Sequence, residues 1–239
     1  MTFTSLRRLV ALLSFLFVSL TAFGAAAHEV NPMRIVLVPV EGNSQATITV
    51  NNTRDDPLMV EIKTFVRVTE PDGAERLDEV DDAFIIFPPQ FQVPPRTSQA
   101  IRIQYVGPPA TNQARSYVVQ VAEVPVETPG FSGVRFTYNF GVAVYVEPPR
   151  AIERLSVVSA QRSEEGLRVV VRNAGARFGL LHLNRLIVTV GDQRLELAGD
   201  DLAERIENPL LPPGMDRIVE VRMPDLPTDG AVSAEVRAR

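Results

Sequence analysis

The stretch Val134-Arg135-Phe136-Thr137-Tyr138-Asn139-Phe140-Gly141-Val142-Ala143-Val144-Tyr145-Val146 carries an apolar side chain at every even position. A period of two is that of a β-strand, whose successive side chains point to opposite faces. The odd positions change along the run. Arg135, Thr137 and Asn139 are polar, whereas Gly141, Ala143 and Tyr145 are small or aromatic. The run is also about twice the usual strand length of five or six residues. Two assignments fit its even face: it fills the chain's own core, or part of it is free to pair with a partner that needs a strand. Bulky aromatics kept in register on a free edge are otherwise an aggregation hazard that proteins suppress.

Working outward, the same grammar holds from residue 28 onward. Nineteen prolines interrupt the chain, and apolar residues alternate or come in short runs, so the sequence predicts an all-β protein. Strands are expected at Met33 to Val40, Gln45 to Asn51, Leu58 to Val68, Phe84 to Phe87, Gln99 to Val106, Ser116 to Val124 and Val134 to Val146. Turn chemistry separates them at Asn51-Asn52, Asp55-Asp56-Pro57, Pro71-Asp72-Gly73 and Gly107-Pro108-Pro109. Seven such strands suit one immunoglobulin-like sandwich.

The adjacent prolines of Glu147-Pro148-Pro149-Arg150 cannot feed a sheet ladder. They mark an expected boundary between a first domain, 28–147, and a second β-sandwich domain, 148–239. Strands of the second are expected at Ile152 to Arg162, Leu167 to Asn173, Leu186 to Val190, Arg194 to Leu197, Arg217 to Met223 and Val232 to Val236. Gly191-Asp192-Gln193 reads as a hairpin turn. Gly199 to Asn208 fits either a short helix or an acidic loop.

Residues 1–27 read as a secretory signal peptide. Arg7 and Arg8 precede an apolar run from Leu9 to Phe23, and the stretch closes on Ala25-Ala26-Ala27. A run of about 15 residues falls short of the roughly 20 that span a bilayer, so no membrane insertion is expected after cleavage before His28. Cleavage there leaves 212 residues and takes the formal charge from −5 to −7.

Composition excludes several functions. The 23 arginines and single lysine, Lys63, are scattered, and the balance is acidic, which argues against nucleic-acid binding. No cysteine is present, so burial and hydrogen bonding alone hold the fold. Two histidines, His28 and His182, are too few for an ordinary zinc site, although a mature N-terminal His28 offers an amine and an imidazole to copper. That chemistry defines an alternative function, an exported β-sandwich binding copper. Asp78, Glu79, Asp81 and Asp82 lack calcium-loop spacing, Glu164-Glu165 reads as a turn, and Ser132 sits in no nucleophile elbow. No enzyme, metal or cofactor is expected.

Several segments together resemble the periplasmic chaperones of pilus (fimbrial) assembly by the chaperone–usher route. They are Arg34 followed by Ile35-Val36-Leu37; Thr47-Ile48-Thr49-Val50-Asn51-Asn52; Phe87-Pro88-Pro89-Gln90-Phe91-Gln92-Val93-Pro94-Pro95; Ile101-Arg102-Ile103-Gln104-Tyr105; and Arg115-Ser116-Tyr117 leading to Glu123-Val124-Pro125. The match covers most of residues 30–148 and is architectural beyond. The resemblance implies two immunoglobulin-like domains set as an L, located in the periplasm. It implies a pilin subunit as client and delivery to an outer-membrane usher; a self-capping dimer of the free chaperone is an option the sequence leaves open.

In this family the last strand of the first domain is lent to a pilin that lacks one, a step called donor-strand complementation. Val134, Phe136, Tyr138 and Phe140 are the implied donated side chains. Burying four such groups contributes roughly 6–12 kcal/mol before ordering costs. The family also anchors the subunit's C-terminal carboxylate with two basic residues. Arg34 matches the first, and a guanidinium has the geometry to hold a carboxylate. The positions aligned with the second, Asn139 to Val142, contain no lysine or arginine. Arg135 substitutes, or Arg34 acts alone, or the carboxylate is not read.

Overall fold

Strands dominate the chain because β-branched and aromatic residues alternate with polar ones between proline and glycine breaks. A computed structural model describes residues 28–110, 112–125, 134 and 136–238. The expected signal peptide, Ser132 and Arg135 lie outside the described residues. In the first half the strands are β1 (His28–Asn31), β2 (Arg34–Leu37), β3 (Gln45–Asn52), β4 (Leu58–Thr69), β5 (Glu75–Glu79), β6 (Phe84–Phe87), β7 (Gln90–Val93), β8 (Ser98–Tyr105), β9 (Arg115–Glu123) and β10 (Asn139–Val146). One sheet has the order β1-β3-β8-β6. The other runs β2-β10-β9-β4-β5, with β7 also on β4.

The two sheets close on one core. Ile48, Val50, Phe84, Ile101 and Ile103 come from the first, and Ile35, Leu37, Leu58, Val60, Val119, Val121, Val142, Val144 and Val146 from the second. The even positions of β10 from Val142 onward therefore belong to this chain's own core. All neighbours in these sheets are antiparallel except β2 and β10, which are parallel and set Arg34 opposite Ala143.

The second half holds β11 (Leu155–Ser163), β12 (Gly166–Asn173), β13 (Gly179–Leu180), β14 (Arg185–Val190), β15 (Gln193–Ala198), β16 (Leu210–Leu211), β17 (Met215–Arg222) and β18 (Val232–Arg237). They form the sheets β11-β12-β17, β13-β16 and β15-β14-β18 around a separate core that includes Leu167, Val169, Leu186, Val188, Leu202 and Val221. Two β-sandwiches result. Gly199–Arg205 is a short helix, α1, which settles the alternative left open there. Both turns read in this half, at Glu164-Glu165 and after Val190, join hairpins.

The sequence reading differs from the structure in three places. The expected strand Val134 to Val146 begins only at Asn139. Its antiparallel neighbour β9 reaches Ala122 opposite Asn139, so Val134, Phe136 and Thr137 keep the alternating sequence but have no strand beside them. The expected strand Met33 to Val40 is cut to Arg34–Leu37, because Pro39 starts a single 3-10 turn. Five strands of two to five residues, β1, β5, β7, β13 and β16, were not expected. They are short, and β5 is built from Glu75-Arg76-Leu77-Asp78-Glu79, whose charges hide its pairing with β4.

Candidate functional site

Side chains at even positions before β10 are unusually open. Val134 is 80% exposed, Phe136 74% and Tyr138 42%. Phe140, the first even residue inside the strand, is half-buried against the core. The four residues singled out in the sequence thus divide in two: three present apolar surface to solvent, while Phe140 also packs on its own sandwich. Exposed aromatics in alternating register, leading into a strand with satisfied neighbours, make a ready edge for β-augmentation.

Tyr138 is the last tethered residue of this segment. Its carbonyl accepts the Glu123 backbone N–H at 3.2 Å, and its own N–H donates to Glu123 Oε2 at 3.3 Å. Glu123 in turn holds Arg54 Nη2 at 2.8 Å. His28, at the start of β1, packs its ring edge-on against Phe140 at 4.8 Å and Tyr138 at 6.1 Å. The imidazole is enclosed, and burial moves its pKa below the ordinary histidine value. The Glu123 carboxylate opposes that shift and Arg54 reinforces it.

This arrangement does not suit copper. The His28 side chain is closed to solvent and its ring faces the Tyr138 and Phe140 rings, so no metal in solution reaches the imidazole in this conformation. His182 sits in a turn of the second sandwich, far along the chain from β1.

A second locus lies where the sandwiches meet. Tyr145 and Phe178 stack at 5.1 Å between ring centroids, with Ala114 and Leu210 completing a small buried cluster and Val36, Ala143 and Leu180 at its margin. Arg34 stands beside it on the outer face of β2, its guanidinium 5.1 Å from the centre of the Tyr145 ring. Among the described residues no carboxylate lies within ion-pair distance of Arg34. Glu147 is buried close by, with Arg177 Nε at 3.5 Å. Burial raises the Glu147 pKa above the usual carboxylate range, opposed by the charges of Arg177 and then Arg34.

The β10 residue beside Arg34 is Ala143, so no lysine or arginine of that strand shares its place. Sequence reasoning missed Arg177 and Glu147 here. Nothing distinguished Arg177 among 23 arginines, and Glu147 read as part of a connector.

The two halves are also latched at another point. Arg217, 1% exposed, donates Nη1 to Pro71 O at 3.0 Å, Nε to Leu210 O at 3.1 Å and Nη2 to Asn208 O at 3.2 Å. The Asn208 amide donates to Gly73 O at 3.0 Å, and Ile218 N to Pro71 O at 2.8 Å. The β4–β5 turn of the first sandwich is therefore clasped by the second. Gly73 is required there: its φ is +100°, and a Cβ would lie 2.6 Å from Arg217 Nη2.

Residues 29–151, just over half of the chain, match the family model of pili and flagellar-assembly chaperones, PapD N-terminal domain. The chain belongs to this family. Its fold is that of the solved fimbrial chaperones, as three comparisons show. The class 5 fimbriae chaperone CfaA is 10% identical with a TM-score of 0.57, over 89% of this chain and 100% of that one. The chaperone DraB of E. coli is 19% identical with a TM-score of 0.54, over 89% and 96%. The SafB chaperone structure, solved with the Salmonella enterica SafA pilin, gives 17% identity and a TM-score of 0.55, over 84% and 86%. No curated protein matches the sequence. Among the described residues of this chaperone-family protein, no helix is long and apolar enough to cross a membrane.

Proposed function

We propose that the chain is a periplasmic chaperone that holds a pilin subunit by donor-strand complementation and delivers it to an outer-membrane usher. The observation that carries this is the segment before β10, where Val134, Phe136 and Tyr138 expose alternating apolar side chains, the first two beyond the end of β9. An incomplete pilin sandwich would pair with that backbone and bury those side chains in its groove, as in other β-augmentations. Phe140 would take the last groove position while remaining seated on the chaperone core. In this scheme 28–147 is the subunit-binding domain and 148–239 the second domain, with residues 1–27 directing export. Arg34, held over Tyr145 with no described carboxylate in ion-pair distance, is suited to the subunit's terminal carboxylate.

Membership of the chaperone family supports this function, as does the likeness to SafB, a chaperone solved in complex with a pilin. The test is recovery of the tagged protein from its own periplasm, with mass spectrometry of whatever accompanies it. A co-purifying exported protein of one β-sandwich, unstable when separated and lost with Phe136→Asp, is the expected result. Recovery of the chain alone, with or without that substitution, would overturn it.

A further inference from the structure

Glu123 ends β9 where the subunit-binding segment leaves the sheet. Its two carboxylate oxygens have separate tasks: Oε1 accepts Arg54, and Oε2 accepts the Tyr138 N–H. That same Oε2 is 4.0 Å from Nδ1 of His28. The His28 side chain is closed to solvent, and among the described residues neither ring nitrogen has a hydrogen-bond partner. Burying an imidazole with two unmet nitrogens costs free energy that a hydrogen-bonded partner would offset.

We propose that Glu123 is a positioning residue that fixes where the lent segment leaves the sheet, and that protonation of His28 draws Oε2 from the Tyr138 N–H and loosens that root. This rests on reading residues 134–140 as the lent segment. Oε2 lies 4.0 Å from Nδ1, beyond hydrogen-bond reach, so it must shift to meet an imidazolium, and its contact with the Tyr138 N–H is already long at 3.3 Å. The bond gained joins two full charges, the bond given up only one. Burial keeps His28 neutral near pH 7, so the hold on Tyr138 is intact there and weakens on acidification. The groups facing His28 are Glu123 from β9, Arg54 from the turn after β3, Tyr138 and Phe140 from the segment, and Asn52 opposite it in β3. Glu29, next in sequence, lies on the exposed side of β1. An α-ammonium created by cleavage before His28 stays protonated between pH 5 and 7.

The mature protein, labelled with ¹⁵N, is titrated by NMR from pH 7 to pH 5. The expected result is that the Tyr138 amide and the His28 ring signals move on one curve with a midpoint below 6.5. His28→Leu and, independently, Glu123→Gln should flatten the Tyr138 curve; the glutamine retains an acceptor for Tyr138 and so preserves the fold. A Tyr138 amide that does not titrate, or that titrates unchanged in His28→Leu, would overturn the proposal. The subunit co-purified with the tagged chaperone supplies the second readout. Its retention should fall about fivefold between washes at pH 7 and pH 5.5 for the native protein and stay level for His28→Leu. Equal losses from both would also overturn the proposal. Undiminished capture by Phe136→Asp would instead refute strand donation, while the Tyr138 titration would still report on the Glu123 contact.

Discussion

The Arg34 guanidinium lies 5.1 Å from the centre of the Tyr145 ring, so an aromatic face holds this exposed cation while, among the described residues, no carboxylate is within ion-pair distance of it. With Arg34 exposed over a buried Tyr145 ring, the cation–π contact contributes about 0.5–1 kcal/mol. Arg34→Ala should therefore lower stability by less than about 1 kcal/mol while weakening subunit binding at least tenfold, as loss of a charged hydrogen bond of about 1.5–3 kcal/mol implies. Thermal unfolding and capture, measured side by side, check this; a large stability loss would show that Arg34 is structural.

Phe136 and Phe140 should behave differently although both are phenylalanines of one register. Phe136 is 74% exposed, so Phe136→Asp should leave the fold within about 0.5 kcal/mol and abolish capture. Phe140→Ala should cost about 2 kcal/mol of stability as well, less than the 3–5 typical of a fully buried phenylalanine. Denaturant unfolding of the two variants distinguishes the roles.

Glu147 sets a pH dependence. Its pKa is raised in the folded protein, so its favourable contribution is present below the unfolded value of 4.5 and is lost as pH rises through the folded value. Glu147→Gln should match the native protein's melting temperature near pH 4 and exceed it at pH 7. It should also bind subunit more tightly at pH 7, because Arg34 and Arg177 lose a competing carboxylate. Melting curves at the two pH values and a capture assay test both parts.

The clasp between the sandwiches should be severe to break. Arg217→Ala removes the guanidinium donor from the carbonyls of Leu210 and Asn208, at about 1–3 kcal/mol for each group that stays dry, and leaves Pro71 O with the Ile218 N–H alone. Gly73→Ala meets both an unfavourable φ and the guanidinium. Calorimetry should show a lowered and broadened transition in each variant as the halves uncouple, with α1 and both cores otherwise preserved.

The sequence alone determined the β class, most strand positions, the division of apolar residues into two series and the interest of residues 134–140. These follow from local rules: alternation of side chains, proline without an N–H, and glycine or asparagine at turns. It also pointed to Arg34. Tertiary structure decided where the alternation stops being a strand, because a ladder needs a neighbour and β9 ends at Glu123. Pairing that joins distant residues decided the rest. Arg34 meets Ala143 and Tyr145, Glu147 meets Arg177, and His28 meets Glu123 and Phe140. Burial then gave His28 and Glu147 their shifted pKa values, which no local pattern encodes, since desolvation depends on residues more than twenty positions away.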